Sequence, residues 1–372
     1  MNIIFITYHY LHGKGGGVFA SRAYINAFAT IADEMTLLFP IKHGAEPENI
    51  NEKVKLMPIW DKRNKFRKGL DLYLGWRNRY KHIEKYIGEH HYDLAVLDAS
   101  ATTHGVIDYL KNKGTKVITI HHNFQYDYYR DNASLWFRLP LLYWSKYDER
   151  KAIRMSDLNL TLTETDKQLL TEHYGNGKER IEVLGTFEFV PKQHPMFPDV
   201  EESNFLITGN LSAVQTEQSL LPWISDYYPI LKEVFPDANL TLAGKSPSAR
   251  LCNIAKQNGI KIIPSPEDMQ PILANAKYYI CPTSLGGGLK LRVMDGLSTG
   301  LPVICHEVSA RGYELFAEKG ILFAYNSQTS FRTQLQKLKD LKTDKRSTIN
   351  LYEQSFSFNS GVKRLTELLH SL

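Results

Sequence analysis

The chain has 372 residues, 43% of them hydrophobic and 23% charged, with a formal net charge of +5. Its length exceeds the roughly 250 to 300 residues at which a single core stops growing, so two domains are expected. No apolar run approaches the roughly 18 residues that a bilayer span demands, and the start of the chain lacks the basic flank and cleavage site of a signal peptide, so the expected location is cytoplasmic.

Ile3–Thr7 reads as a buried strand, followed by Lys14-Gly15-Gly16-Gly17 and a helix predicted over Val18–Ala29. Gly15, Gly16 and Gly17 suit a backbone that approaches a ligand closely, although the spacing fits neither a Walker phosphate loop nor the dinucleotide fingerprint. Met35–Phe39 is the second strand. Residues 61–82 then carry Lys62, Arg63, Lys65, Arg67, Lys68, Arg77, Arg79 and Lys81, interleaved with Phe66, Leu70, Leu72, Tyr73, Leu74 and Trp76. That pattern suits either a solvated basic helix or docking on an anionic membrane surface or lipid-linked pyrophosphate.

Strands are next predicted at Leu94–Leu97, Val117–Ile120, Leu158–Leu162 and Ile181–Leu184. Asp98 closes the first of these, and His121-His122-Asn123 the second, with Asp127 just beyond. Polar groups at strand ends are where an open α/β sheet meets its ligand. The apolar stretch Leu135–Trp144 is interrupted by Arg138 and Pro140. Glu149 and Glu164 read as isolated capping acids.

Three prolines between Phe189 and Pro198 mark a linker, which divides the chain into residues 1–190 and 191–355. The second set of strands falls at Phe205–Thr208, Leu240–Ala243, Ile260–Ile263, Tyr278–Cys281, Pro302–Cys305 and Ile321–Phe323. Strands alternating with helix-length stretches imply α/β architecture: two doubly wound parallel sheets, with ligands expected in a cleft between their carboxyl ends. Cys252, Cys281 and Cys305 have no metal-ligand spacing and read as small buried hydrophobes. No nucleic-acid partner is expected.

Gly286-Gly287-Gly288-Leu289-Lys290-Leu291-Arg292-Val293-Met294-Asp295 carries the most chemistry. It follows a strand and opens a helix predicted over Lys290–Thr299, which stops at Gly300 before Pro302. Main-chain N–H groups of a glycine turn and a helix N-terminus attract anions. Cations there oppose the macrodipole, so Lys290 and Arg292 are better explained by a bound diphosphate than by helix stability. Asp295 is placed to accept hydrogen bonds from ribose hydroxyls.

This motif, with Gly300-Leu301-Pro302-Val303 behind it, resembles the GT-B glycosyltransferases of the retaining family 4 type, in the subgroup with a Gly-Gly-Gly-x-Lys-x-Lys/Arg pattern, and the likeness extends over nearly the whole chain. The resemblance implies a GT-B fold of two Rossmann-like domains facing across a cleft. Residues 1–190 would bind acceptor and 191–355 the nucleotide-sugar donor, while a helix in 356–372 would cross back. It further implies that His121 lies against the donor sugar and that the Gly15–Gly17 loop lies beside phosphates and acceptor. Gly209 and Asn210 would face the diphosphate, and Lys245 would stand near the same site. Relatives carry two acids eight positions apart. Asp295 fills the second place, whereas the first falls on Gly287.

The implied reaction moves a sugar from a nucleotide diphosphate sugar to a hydroxyl of a polysaccharide, lipopolysaccharide or lipid-linked glycan, with retention of anomeric configuration as the expected outcome. Lys290, Arg292 and His121 are the expected catalytic residues. With retention, the departing phosphate takes the acceptor proton; with inversion, Asp98 or Asp127 would be the base. No Asp-x-Asp triplet occurs, so no metal is expected, and the donor is a co-substrate in place of any cofactor. Two other readings stand beside it: a nucleotide-sugar epimerase of the same shape, and a sugar-nucleotide-binding protein without turnover.

Overall fold

A computed structural model describes residues 1–13, 15–42, 46–74, 80, 82–285, 289–342, 344–370 and 372, with the backbone alone for residues 65, 214 and 215. The chain forms two compact units, one of Met1–Lys192 with Phe356–Leu372, the other of Gln193–Ser355.

The first unit is built on a seven-stranded sheet in the order β3-β2-β1-β4-β5-β6-β7. Its strands are β1 (Asn2–Thr7), β2 (Glu34–Ile41), β3 (Val54–Trp60), β4 (Leu94–Asp98), β5 (Lys116–His121), β6 (Leu158–Thr161) and β7 (Ile181–Val183), all paired in parallel. Central strands such as Ile3-Ile4-Phe5-Ile6 are buried residue after residue, because helices cover both faces of the sheet. One face packs on the helix Gly16–Ile31 through Phe5, Phe28 and Leu37, and Phe358 and Leu365 of the helix Phe358–Leu369 join the same core. On the other face Ile4, Ile6, Leu97 and Val117 meet Tyr80, Ile83 and Leu110.

Strand β3 has no counterpart among the sequence expectations. It is the edge strand, paired only with β2, and exposes Lys55, Leu56, Pro58 and Trp60. A proline without an N–H is tolerated where no further strand must be bonded, and the broken apolar pattern hides such a strand from periodicity.

The second unit has a six-stranded parallel sheet in the order β10-β9-β8-β11-β12-β13. The strands are β8 (Asn204–Asn210), β9 (Asn239–Lys245), β10 (Lys261–Pro264), β11 (Tyr278–Cys281), β12 (Val303–His306) and β13 (Leu322–Tyr325). Phe205, Trp223, Leu240, Ile280 and Phe331 anchor its core. Cys281 and Cys305 are buried and Cys252 is half-buried; all three are free thiols. In both sheets the chain reverses winding between two neighbouring strands, β1 and β4 in one and β8 and β11 in the other. Loops diverge there and leave room for a ligand.

Candidate functional site

In the second unit the reversal point gathers the end of β8 and the start of two helices, Val214–Asp226 and Arg292–Leu297. The latter is shorter than the helix expected over Lys290–Thr299. Arg292, its first residue, lays its guanidinium on the backbone of Gly209: a Cβ at Gly209 would stand 2.4 Å from Arg292 Nε. Gly209 also has φ of 134°, a backbone state that side chains disfavour and that favours glycine here. Arg292 Nη2 donates to Thr216 Oγ1 at 2.6 Å, in the first turn of the helix Val214–Asp226. The charge therefore sits beside two helix N-termini, where a cation is unfavourable, and among the described residues no carboxylate forms an ion pair with it.

Asp295 is exposed and accepts a hydrogen bond from Thr208 Oγ1 at 3.0 Å, while Thr208 Oγ1 also lies 2.5 Å from the buried Tyr279 hydroxyl. This chain of contacts ties the acid to the end of β8. Lys290 is half-buried, and desolvation lowers its ammonium from 10.5 to about 8. Its carbonyl accepts from the Tyr313 hydroxyl at 3.0 Å, which fixes the backbone ahead of the helix. Asn210 accepts from Ser212 N–H and Oγ at 3.2 and 2.8 Å, Lys245 is exposed at the end of β9, and Leu289 is half-buried. Gly286, Gly287 and Gly288 lie outside the described residues, as do Lys14, Trp76, Arg77, Arg79 and Lys81.

In the first unit the reversal point lies at the paired residues Thr7 and Asp98. Thr7 Oγ1 donates to Asp98 Oδ2 at 2.5 Å, and His122 Nε2 lies 2.6 Å from Asp98 Oδ1. Burial alone would raise the Asp98 carboxyl, but His122 and its other partners outweigh burial and hold it at about 2. Both oxygens are thus committed, and Asp98 acts on His122 instead of standing free as a base. The His122 ring packs 5.2 Å from that of His9, and His9 in turn lies against the glycine loop, since a Cβ at Gly17 would be 3.0 Å from its ring. Gly15 caps the helix Gly16–Ile31 without a side chain and faces open space.

His121 is enclosed within its own unit. It is 1% exposed, and its Nε2 meets Asn159 Oδ1 at 3.0 Å. Asn159 Nδ2 donates to the Ile153 carbonyl, which turns Oδ1 toward the histidine and makes Nε2 the protonated nitrogen. Burial lowers this imidazole to about 4, so it stays neutral. The physical reason is strand alternation: successive side chains point to opposite faces, so His122, and not His121, joins the Asp98 cluster. Asp127, the other expected base, forms an ion pair with Arg130 at 2.6 Å.

Sequence reading missed the partnerships that hold the loop after β5. Glu149, inside the helix Leu135–Met155, is fully buried and caps a different helix, Gln125–Asn132, accepting from Gln125 N–H at 2.5 Å and from the Tyr174 hydroxyl at 3.1 Å. Desolvation raises its carboxyl from 4.5 to about 8, although these bonds pull the other way. Asp166 Oδ1 accepts from Phe124 N–H at 2.9 Å. No local spacing signals either partnership, because both reach across the fold. Within this unit His9, Asp98 and His122 offer ligand atoms within 4.8 Å of one another, a donor set acceptable to a zinc-like ion, though the His122 to Asp98 hydrogen bond already uses the facing atoms.

Residues 202–340 match the family model described as Glycosyl transferases group 1. A Klebsiella pneumoniae protein described as an "Uncharacterized 44.6 kDa protein in cps region" is 27% identical over 134 residues, covering 33% of this chain and 34% of its own. The chain thus spans about a third of the length of that curated relative. Over the whole chain, sucrose-phosphate synthase from Thermosynechococcus elongatus superposes with a TM-score of 0.73 at 12% identity, covering 100% of this chain and 98% of its own. Anabaena HepE, in complex with UDP, gives 0.67 at 14% identity with 100% of both chains covered. These likenesses establish the GT-B fold, two Rossmann-like parallel α/β sheets, and the second unit carries the group 1 match that its motif implied.

Proposed function

We propose that this chain, with its GT-B fold and a group 1 glycosyl transferase match over residues 202–340, transfers a sugar from a nucleotide diphosphate sugar to a hydroxyl of a polysaccharide, lipopolysaccharide or lipid-linked glycan. The observation that carries this reading is Arg292. Its guanidinium is pressed on Gly209 and bonded to Thr216 beside two helix N-termini, a concentration of positive charge that a diphosphate would neutralise. Exposed Asp295, tied to Thr208, is suited to ribose hydroxyls. A uridine donor is the first choice, by likeness to the UDP complex of Anabaena HepE.

The bond from the anomeric carbon to the β-phosphate oxygen breaks as the bond to the acceptor oxygen forms. Lys290 and Arg292 stabilise charge on the departing phosphate. With retention that phosphate receives the acceptor proton, so no protein nucleophile and no metal are required. In the first unit, Asp98 orients His122, whose ring packs against that of His9. The reaction is placed in the cytoplasm.

Calorimetry with nucleoside diphosphate tests the site. Arg292→Ala or Lys290→Ala should weaken binding by about 10- to 100-fold, the range for charge-assisted hydrogen bonds, and Lys245→Ala much less. Equal small effects would remove Arg292 from the site. Tight binding without release of nucleoside diphosphate, across a broad acceptor panel, would sink the transferase reading.

A further inference from the structure

The first unit displays a large apolar face that neither its core nor the donor site uses. Leu135, Trp136, Leu139 and Tyr143 of the helix Leu135–Met155 are 79, 82, 77 and 65% exposed, and Phe66 of the helix Lys65–Tyr73 is 81% exposed. Tyr73, Leu70 and Tyr147 of the same two helices are exposed as well. Soluble proteins scatter single exposed hydrophobes but seldom present so many large ones together.

The face is held rigidly. Pro140 has no N–H, so the carbonyl of Trp136 four residues earlier loses its helical partner; the Tyr73 hydroxyl donates to it instead. Trp144 Nε1 donates to the Leu72 carbonyl at 3.0 Å. Gly69 lets the Phe137 ring approach to where a Cβ would be 3.1 Å away. Two helices are thereby locked side by side, with Phe66, Trp136 and Tyr143 outward.

Charge decides what this face meets. Within residues 62–74 and 135–147 the sole carboxylate is Asp71, which is buried and paired with Arg63 and Arg67 at 3.4 and 2.8 Å. Asp61, Asp148 and Glu149 at the margins are buried too, and Asp131, exposed four residues ahead of Leu135, is paired with Arg130 at 2.9 Å. Lys62, Arg67 and Lys146 remain exposed. An outward surface of Trp, Tyr, Leu and Phe, with cations and with its acids withdrawn, matches a bilayer interface rich in anionic headgroups. Among the described residues no helix is long and apolar enough to cross a membrane, so the contact is peripheral.

We propose that the paired helices Lys65–Tyr73 and Leu135–Met155 dock this protein on acidic phospholipid, with Trp136, Leu139, Leu135 and Phe66 entering the interface and Lys62 and Lys146 meeting headgroups. The inference extends the glycan-transfer reading by placing the acceptor at a lipid surface, yet it rests on different residues.

The test is cosedimentation of the full chain with vesicles of phosphatidylcholine alone or mixed with phosphatidylglycerol. The protein should pellet with the mixed vesicles and not with phosphatidylcholine alone. Trp136→Ser with Leu139→Ser should lower binding by more than about 10-fold, and Lys62→Glu or Lys146→Glu by about 5-fold each. Failure to pellet with either vesicle, equal pelleting with both, or unchanged binding of the Trp136→Ser/Leu139→Ser variant would overturn the proposal. So would a dimer in sedimentation velocity that this variant converts to monomer, since the face would then cover a second copy. Calorimetry with nucleoside diphosphate on the same variant should be unchanged. Vesicle binding by a protein that binds no nucleoside diphosphate would sink the donor-site reading and leave this one standing.

Discussion

The helix Leu135–Met155 has two halves of opposite character. Its first half turns Leu135, Trp136, Leu139 and Tyr143 to the outside, whereas its second half buries Ser145, Asp148 and Glu149. The first half thus exposes its large apolar side chains, and the second buries two acids beside Ala152 and Ile153. The second half can bury acids because the fold supplies partners: Glu149 receives Gln125 N–H and the Tyr174 hydroxyl, and so positions the loop that carries His122. The first half can expose aromatics because nothing in its own unit needs them. Polarity along a helix therefore reports where partners are, and only then where water is.

The sharpest way to break this contrast is to remove the buried acid. Glu149→Ala strips the cap from the helix Gln125–Asn132 and leaves buried N–H groups without an acceptor, which should cost about 3 kcal/mol in a denaturant titration. A cost near zero would show that the second half of the helix is as dispensable to folding as the first.

A pH titration separates the two buried acids. The Glu149 carboxyl is raised from 4.5 to about 8, so the folded state holds a proton that the unfolded state releases; its contribution is full below 4.5 and is lost as pH rises toward 8. Asp98 is lowered from 3.8 to about 2, so its contribution is present above 3.8 and is lost as pH falls toward 2. Thermal melts across this range should decline on both sides, and Glu149→Gln should flatten the upper side alone. An unaltered upper side in that variant would assign the decline to another group.

The smallest effect belongs to the exposed half. Trp136→Ala should change stability by no more than about 0.5 kcal/mol, as expected for a side chain with little packing to lose, even though tryptophan is the largest residue in the helix. A larger loss in a denaturant titration would mean that the ring supports the Tyr73 contact and is not a free surface.

Much of the framework was legible because central strands of doubly wound sheets are continuous apolar runs, as in Ile3-Ile4-Phe5-Ile6. Strand β3 was not, since an edge strand with Lys55 and Pro58 carries no such run. Arg292 and Asp295 were legible as a charged pair opening a helix after a strand. Their contacts to Thr216 and Thr208 were not, because β8 and the helix Val214–Asp226 lie more than seventy residues away in sequence. The His121-His122 pair could be placed at a strand end, but which imidazole meets Asp98 depends on the face each side chain takes. That is a one-residue matter of alternation. Glu149 illustrates the limit most plainly: its capping role was visible in its residue type, and the helix it caps was not.

The helix Phe358–Leu369 has a consequence for the order in which the molecule is made. Phe358 and Leu365 lie in the core shared by Phe5, Phe28 and Phe187, and Arg364 Nε donates to the Leu184 carbonyl at 3.1 Å. Vectorial synthesis delivers residues 1–192 first, yet this face of their core stays open until the second unit has left the ribosome. The nascent first unit must wait in a partly uncovered state, with apolar surface available to chaperones, for a segment more than 160 residues downstream to seal it.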